Sequence, residues 1–422
     1  MLNSRSLAHF EKARWTPHFN RPIYDSYSFS LIPETITRLL TGEGGLVLPS
    51  DTIGREKYDC VVLFFVDGFG WQSFERFFDR LPFLNRFSEE GIASKISSQF
   101  PSTTAAHVTT INTGQEVGST GIYEWFYYEP KVQELITPLL FSYAGDHVPN
   151  TLSKKGVNPQ EIFPFETFYE KLNRKGVKSI VMQEEGIAHS PYSQTLLKGA
   201  HNLPYVHFEQ ALQRIKQICE GPRDAPTYIF VYFSDIDSAG HRRGIDSPEF
   251  ETTAVGFWNT IEREFWQKVT PQGKTAFLFT ADHGMAPVDP QETVYINRIF
   301  PEITDFLQET ASGKKCVPAG SCRDFFLHCF PERVEELQSI LQKKLNGKAD
   351  VVQVDRLLKE GFFGKEIPSR RLEERIGNLV ILPYLKESVW WFEKHRFEQH
   401  FWGAHGGLTP AEMETIFLFC EK

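Results

Sequence analysis

The sequence predicts an α/β fold, in which a mostly parallel central sheet is flanked by helices and a smaller α+β lobe is inserted before the last strand. Two observations lead to this prediction. Four short stretches are continuously apolar rather than alternating, which is typical of strands that are buried on both faces of a parallel sheet. Helical patterns lie between them, and such alternation of strand and helix indicates a layered α/β protein.

The predicted elements follow the chain in order. The four strands are residues 60–66, 228–233, 276–279 and 415–419. A helix is predicted over 208–219, where apolar residues recur at helical spacing, and it ends at Gly221-Pro222. Another helix runs from Pro331 to Gly347, with proline at its start and glycine at its end.

The segment 289–401 has a separate pattern of elements. It carries strand-like runs at 324–329, 350–354 and 379–382, together with the helix that begins at Pro331. We therefore predict an inserted α+β cap lobe over 289–401, and an α/β catalytic core made of residues 1–288 and 402–422.

The composition is that of an ordinary globular protein, with 41% hydrophobic and 23% charged residues and a net charge of −9. This acidic balance argues against a nucleic-acid polymer or an anionic membrane as the main partner. Six cysteines without CxxC spacing favour free thiols in a reducing compartment. Because no signal-peptide core and no run of about 20 apolar residues is seen, we expect a cytoplasmic location. No feature of the sequence indicates an oligomeric state.

Acidic residues follow the first three predicted strands. The segments at the strand ends are Asp67-Gly68, Asp235-Ile236-Asp237 and Asp282-His283-Gly284. Functional groups of open α/β sheets collect at the carboxyl ends of strands, so Asp67, Asp237 and Asp282 are expected in one crevice. Because clustered carboxylates repel one another in a reduced dielectric, the sequence predicts metal ions there.

Histidines near these acids support a metal site. Asp237 and His241 lie four residues apart, and a tight turn permitted by Gly240 could direct both at one ion. Asp282 and His283 are adjacent, so they could serve one ion or bridge two. His405 lies in a glycine-rich loop, 402–407. Carboxylate and imidazole donors suit Zn²⁺, with Mn²⁺ or Fe²⁺ possible by the same donors.

The hydroxyl run Ser102-Thr103-Thr104 precedes a predicted short helix. Hydroxyls at a helix N-terminus lie beside unpaired N–H groups that suit a phosphate. A metal ion could activate one of these hydroxyls as a nucleophile. The alternative is that these three side chains merely cap the helix.

Together these segments resemble the alkaline phosphatase superfamily, and within it the nucleotide pyrophosphatase/phosphodiesterase branch. The matching stretches, in the family's order, are Val66-Asp67-Gly68, Phe100-Pro101-Ser102-Thr103-Thr104 with Thr113-Gly114, Asp237-Ser238-Ala239-Gly240-His241, Ala281-Asp282-His283-Gly284-Met285 and Gly403-Ala404-His405-Gly406.

The resemblance implies two divalent metal ions about 4 Å apart, most simply Zn²⁺ with Mn²⁺ as the alternative. It assigns one ion to Asp67, Thr104, Asp282 and His283, and the other to Asp237, His241 and His405. It also implies that Thr104 is the nucleophile, because the family's nucleophile lies nine residues before the threonine of the Thr113-Gly114 pair. A phosphothreonine would form on Thr104 and then be hydrolysed.

One segment departs from the family. The phosphodiesterases carry an asparagine after a Gly-Ile pair, whereas here Gly121-Ile122 is followed by Tyr-Glu-Trp-Phe. His107 could contact phosphate instead, or it could be a packed residue. The aromatic run 125–128 could stack on a nucleobase or belong to the core. His189 and Tyr192 could line the substrate cleft.

The function expected from this resemblance is a metal-dependent phosphodiesterase or nucleotide pyrophosphatase whose partner is a small phosphate ester such as a nucleotide. A phosphomonoesterase or phosphonate hydrolase is the enzymatic alternative. The non-enzymatic alternative is a catalytically silent protein that binds a phosphorylated ligand. Sulfatases need a Cys/Ser-x-Pro-x-Arg motif that the nucleophile loop lacks. Cofactor-independent phosphoglycerate mutases use a serine and a much larger insert.

Overall fold

A seven-stranded sheet forms the centre of the computed structural model, which describes residues 1–54 and 57–422. Its order across the sheet is Ile92–Ser97, Glu414–Glu421, Thr275–Thr280, Cys60–Val66, Thr227–Phe233, Lys178–Met182 and His201–Asn202. Cys60–Val66 pairs in parallel with both Thr227–Phe233 and Thr275–Thr280. The predicted α/β fold with a mostly parallel sheet is therefore confirmed.

The last strand, Glu414–Glu421, runs antiparallel to both of its neighbours, Thr275–Thr280 and Ile92–Ser97. The continuous apolar pattern predicted that this strand is parallel to the others, and that prediction of its direction was wrong. The pattern reports burial on both faces, which an interior strand has in either direction.

Helices cover both faces of the sheet, because alternate residues of its strands enter two separate apolar clusters. Val61 and Leu63 belong to one cluster, and Val62 and Phe64 belong to the other. The first face is covered by helices Ile32–Thr41, Thr104–Thr113 and Phe168–Arg174. The second is covered by Trp71–Phe78, Pro82–Glu89, Phe208–Glu220 and Pro248–Thr260. This layering exposes only the strand ends to form a site.

A small antiparallel sheet lies within the segment predicted as a lobe. Its strands, in order across the sheet, are Phe325–Leu327, Leu379–Pro383 and Ala349–Gln353. The helix predicted from Pro331 is a 3₁₀ turn, Pro331–Arg333, followed by the α-helix Val334–Lys344. The limits of the lobe, 289–401, remain a prediction.

The remaining elements are short. The other α-helices are Ser4–Phe10, Val117–Thr120, Thr151–Lys154, Pro159–Ile162, Glu185–Ala188, Pro191–Leu196, Asp235–Arg243, Ile296–Ile299, Val354–Lys359, Arg370–Arg375 and Pro410–Met413, with 3₁₀ turns at Phe29–Leu31 and Pro301–Phe306 and a π-helix at Ile261–Trp266. The other strands are Tyr127–Glu129, Glu134–Thr137, Ser142–Tyr143, Ala286–Pro287, Val294–Tyr295, Val389–Trp390 and Gly403–Ala404. Within the described residues, no helix has the length and apolarity needed to cross a membrane. All six cysteines are free thiols, as predicted.

A buried ion pair joins the segment predicted as the lobe to the core. Arg323 and Glu412 are both fully buried, and the guanidinium donates two hydrogen bonds of 2.9 Å to the carboxylate. Arg323 also donates to the carbonyl oxygen of Tyr384 at 2.8 Å. Because the Glu412 carboxylate is fully buried, removing the guanidinium leaves an uncompensated charge inside the protein.

We expect Arg323→Ala to lower the free energy of unfolding by about 3–5 kcal/mol, because the variant leaves the Glu412 carboxylate buried without its partner. Arg333→Ala is the matched control, because Arg333 pairs with Glu336 at the surface and its loss should lower the free energy of unfolding far less. Denaturant unfolding monitored by circular dichroism measures both. Equal free energies for the two variants would contradict the prediction.

Candidate active site

Two strand ends bring together Asp67, Asp282 and His283. Asp67 directly follows Cys60–Val66, and Asp282 lies two residues beyond Thr275–Thr280. The N–H groups of Gly68 and His283 donate to Asp282 Oδ1 at 3.1 and 3.0 Å. One donor atom from each of the two acids and His283 lies within 4.8 Å of the others. The strand-end argument therefore anticipated this cluster.

Thr104 begins the helix Thr104–Thr113, and its hydroxyl faces this cluster. Thr104 Oγ1 lies 3.4 Å from both carboxylate oxygens of Asp67 and 3.2 Å from His283 Nε2. Thr103 occupies the N-cap position, but its side chain makes no capping hydrogen bond. The alternative interpretation, that Ser102, Thr103 and Thr104 merely cap the helix, therefore fails at the N-cap residue itself.

Asp237, His241 and His405 form a second group beside the first. His241 Nε2 lies 3.3 Å from Asp237 Oδ2 and 3.1 Å from His405 Nε2, and His405 Nε2 lies 3.7 Å from Asp237 Oδ1. His283 lies between the groups, because it also comes within 4.8 Å of donor atoms on Asp237 and His405. All seven predicted ligands thus converge at one edge of the sheet.

The local geometry around Gly240 differs from the predicted tight turn. Asp237 and His241 lie on the helix Asp235–Arg243, where a spacing of four residues places them on one face. Gly240 does not bend the chain there. A Cβ at this position would come within 2.3 Å of Met285 Sδ, so the Met285 side chain would have to shift to admit one.

The three imidazoles share one hydrogen-bond arrangement, in which Nδ1 faces a backbone carbonyl oxygen. The partners are Gly403 for His241 at 2.8 Å, Ser102 for His405 at 3.0 Å and Gly284 for His283 at 3.0 Å. An Nδ1–H donating to a carbonyl leaves the Nε2 lone pair free on the opposite side of the ring. This is the usual orientation of a metal-ligating histidine.

The carboxylates also fit cations. Asp237 Oδ1 and Asp282 Oδ2 are buried and accept no hydrogen bond from the described residues, although an imidazole nitrogen lies 3.7 and 3.2 Å away. Burial and the charges of Asp282 and Asp237 raise the pKa of Asp67 well above its usual range. Burial likewise raises the pKa of Asp237. Burial opposes ionisation of Asp282 too, but the adjacent His283 lowers the pKa of Asp282 below its usual range. Divalent cations would satisfy the unpaired oxygens and the excess charge together.

The loop before Thr104 is held on two sides. His107 is fully buried, accepting a hydrogen bond from the Gln99 N–H at 2.9 Å and donating to the Thr103 carbonyl oxygen at 2.7 Å. Burial lowers the pKa of His107 to about 4, so the ring is neutral. Ser102 Oγ donates to the carbonyl oxygen of Gly407 at 2.8 Å, which ties the loop to that of His405. His107 is therefore a packed residue, and the phosphate-contact alternative is wrong.

A cavity of about 430 Å³ opens from this cluster towards the segment predicted as the lobe. Thr104, Asp237, His241 and His405 line one end. The aromatic residues of its wall are Trp125, Phe126, Trp390, Phe397 and Phe401. Of the aromatic run 125–128, the first two residues face the cavity and Tyr127 is buried in the core. The cavity can therefore take an apolar or aromatic group next to the cluster.

His189 and Tyr192 do not line this cavity. His189 is exposed and lies 3.5 Å from Glu185, whereas the buried Tyr192 shares a hydrogen bond of 2.9 Å with Thr109. The prediction that they line the cleft was wrong.

Sequence reasoning missed two residues at the cluster. Tyr232 donates a 2.5 Å hydrogen bond to Asp67 Oδ2, and nothing in its apolar strand indicated this. Glu124 is fully buried and lines the cavity. The sequence did contain an indication of this residue, because Glu124 is the one charged side chain in the otherwise apolar run 122–128.

The chain is similar to known proteins in sequence family and in fold. Residues 61–408 match the family model described as type I phosphodiesterase / nucleotide pyrophosphatase. A search of curated proteins finds no significant match. The fold is similar to murine and human ectonucleotide pyrophosphatase / phosphodiesterase 5, each with a TM-score of 0.60, 16% identity and coverage of 85% of this chain and 87% of theirs. An inactive variant of the murine protein, in complex with AMP, is similar to the same degree.

Proposed function

The chain belongs to the type I phosphodiesterase/nucleotide pyrophosphatase family, and from that premise we propose that it cleaves phosphodiester or pyrophosphate bonds through a phosphothreonine on Thr104. It is a hydrolase that acts on phosphate ester bonds. The observation that carries the proposal is the position of Thr104 Oγ1, at 3.2–3.4 Å from Asp67 and His283.

We propose that two divalent cations complete the site, most simply Zn²⁺ with Mn²⁺ as the alternative. One would be held by Asp67, Thr104, Asp282 and His283, and the other by Asp237, His241 and His405. When bound, they would lower the pKa of the Thr104 hydroxyl and offset the charge of the carboxylates. The unpaired oxygens of Asp237 and Asp282 and the Nδ1 anchoring of the imidazoles support this assignment.

The chain's own groups supply the rest of the reaction. Asp67 Oδ1 at 3.4 Å and His283 Nε2 at 3.2 Å both lie within reach of the hydroxyl proton of Thr104. Oγ1 bonds to phosphorus as the bond from phosphorus to the leaving oxygen breaks, and water later cleaves the phosphothreonine. The hydrogen bonds from Ser102 and His107 fix the loop, so the hydroxyl is oriented before substrate arrives.

We propose a small phosphate ester such as a nucleotide as substrate. The AMP complex of the similar murine protein supports a nucleotide, and so does the aromatic wall of the cavity. Partly exposed rings such as Trp125 and Phe401 can stack on a base or another flat group.

The test is to measure kcat/KM for bis-p-nitrophenyl phosphate and p-nitrophenyl phosphate, before and after chelation. We expect hydrolysis of the diester at least about tenfold faster than of the monoester, loss of both on chelation, and recovery with Zn²⁺ or Mn²⁺. No hydrolysis of either ester after reconstitution, or full activity in the chelator, would contradict the proposal. A preference for the monoester would indicate a phosphomonoesterase.

A further inference from the structure

Tyr232 places a hydroxyl at the carboxyl end of a central strand. It is the last residue but one of Thr227–Phe233, whose register sets it beside Phe65 of the neighbouring strand. The two rings are in contact, with centroids 5.5 Å apart, and Tyr232 is buried. A buried tyrosine hydroxyl needs a hydrogen-bond partner. The partner here is Asp67 Oδ2, at 2.5 Å, so the sheet itself holds this carboxylate.

The two carboxylates of the first group are each held by one oxygen. Asp282 Oδ1 accepts the N–H groups of Gly68 and His283, whereas Oδ2 accepts no hydrogen bond from the described residues. Asp67 Oδ2 accepts the Tyr232 hydroxyl in the same way. Fixing one oxygen of a carboxylate sets the direction of the other, which is how outer hydrogen bonds orient metal ligands.

The donor atoms that remain lie close together. Asp67 Oδ1, Asp282 Oδ2 and Thr104 Oγ1 are 3.6, 3.2 and 3.2 Å from His283 Nε2. Tetrahedral bonds of about 2.0–2.2 Å leave neighbouring ligands about 3.3–3.6 Å apart, so these separations suit atoms that share one small cation. Loss of the Tyr232 hydroxyl would free the Asp67 carboxylate to turn out of this arrangement.

From these contacts we infer that Tyr232 is a positioning residue, which holds Asp67 Oδ2 so that Oδ1 is presented to the cation proposed for the first group. The second group is held by other contacts, because the imidazoles of His241 and His405 are anchored on backbone carbonyl oxygens. The role of Tyr232 is therefore specific to one of the two cations. It rests on the proposed function and adds a residue outside the proposed ligand set.

The test is the affinity of Tyr232→Phe for Zn²⁺ in two backgrounds that each keep one site. Asp237→Ala should retain the first site, and Asp282→Ala should retain the second. Removing an outer hydrogen-bond partner of a metal ligand lowers metal affinity by about 10–100-fold, so we expect that loss in Asp237→Ala and a change below about threefold in Asp282→Ala. Competition with a chromogenic chelator measures both affinities without any substrate.

Tyr228→Phe is the matched control. Tyr228 lies on the same strand and is fully buried, but its hydroxyl has no hydrogen-bond partner among the described residues. Its removal should leave the affinities of both sites at their wild-type values. Tyr232→Phe alone should show one weakened and one unchanged binding step, which keeps the experiment decisive if a double variant does not fold.

The possible outcomes separate the inference from the proposed function. Wild-type affinity at the first site of Tyr232→Phe overturns the inference alone. Equal losses at both sites also overturn it, because a merely structural role would weaken the two sites together. A wild-type protein that binds no Zn²⁺ overturns the proposed cations instead.

Discussion

Replacing Thr104 by alanine is expected to lower kcat for bis-p-nitrophenyl phosphate by at least about a thousandfold, because the variant has no oxygen to form the covalent intermediate. The hydroxyl is one of several donors to the cluster, so bound metal should fall little. Steady-state kinetics and elemental analysis of the same preparation measure both quantities. The combination of lost turnover with retained metal distinguishes a nucleophile from a purely structural ligand.

Three controls sharpen this result. Thr104→Ser restores a hydroxyl and should recover part of the activity. Thr252→Ala removes an exposed helical threonine and should behave as wild type. If Thr103→Ala abolished turnover and Thr104→Ala did not, the nucleophile would be Thr103. Turnover by Thr104→Ala equal to that of Thr252→Ala would reject a threonine nucleophile at this position.

Asp237→Ala is expected to reduce bound metal from two equivalents to about one and to lower kcat/KM by at least about a hundredfold. The carboxylate lies within 3.3–3.7 Å of His241 and His405, so its removal leaves these two imidazoles without an anionic partner. Mass spectrometry of acid-digested protein gives the stoichiometry. Asp235→Ala is the matched control, because Asp235 is exposed on the same helix and does not line the cavity. Two equivalents of metal in the Asp237 variant would exclude this residue as a ligand.

Much of the cluster could be predicted because its geometry follows from strand direction. Asp67 and Asp282 follow parallel strands, and the carboxyl ends of parallel strands lie at the same edge of the sheet whatever the conformation of the loops. The convergence of His405 depended on the family resemblance, since no local rule brings residue 405 to residue 67. The Nδ1 contacts that orient the imidazole rings are made with backbone carbonyls. Because every residue has a backbone carbonyl, these contacts cannot be predicted from the sequence.

Other features were missed for a different reason. The helix Asp235–Arg243 carries a glycine, which lowers helix propensity, and the close approach of Met285 to this glycine is a tertiary contact. The direction of Glu414–Glu421 could not be read from its apolar residues, because burial is the same in both directions.

The sheet order has a consequence for how the molecule is made. Within the described part of the chain, Ile92–Ser97 pairs in the sheet with Glu414–Glu421 alone, so an early strand waits for one that is synthesised much later. His405, whose Nδ1 contacts the Ser102 carbonyl oxygen, lies in the same late part of the chain. During translation the edge of the sheet therefore stays open, and the group of proposed metal ligands stays incomplete, until residues 403–421 have emerged.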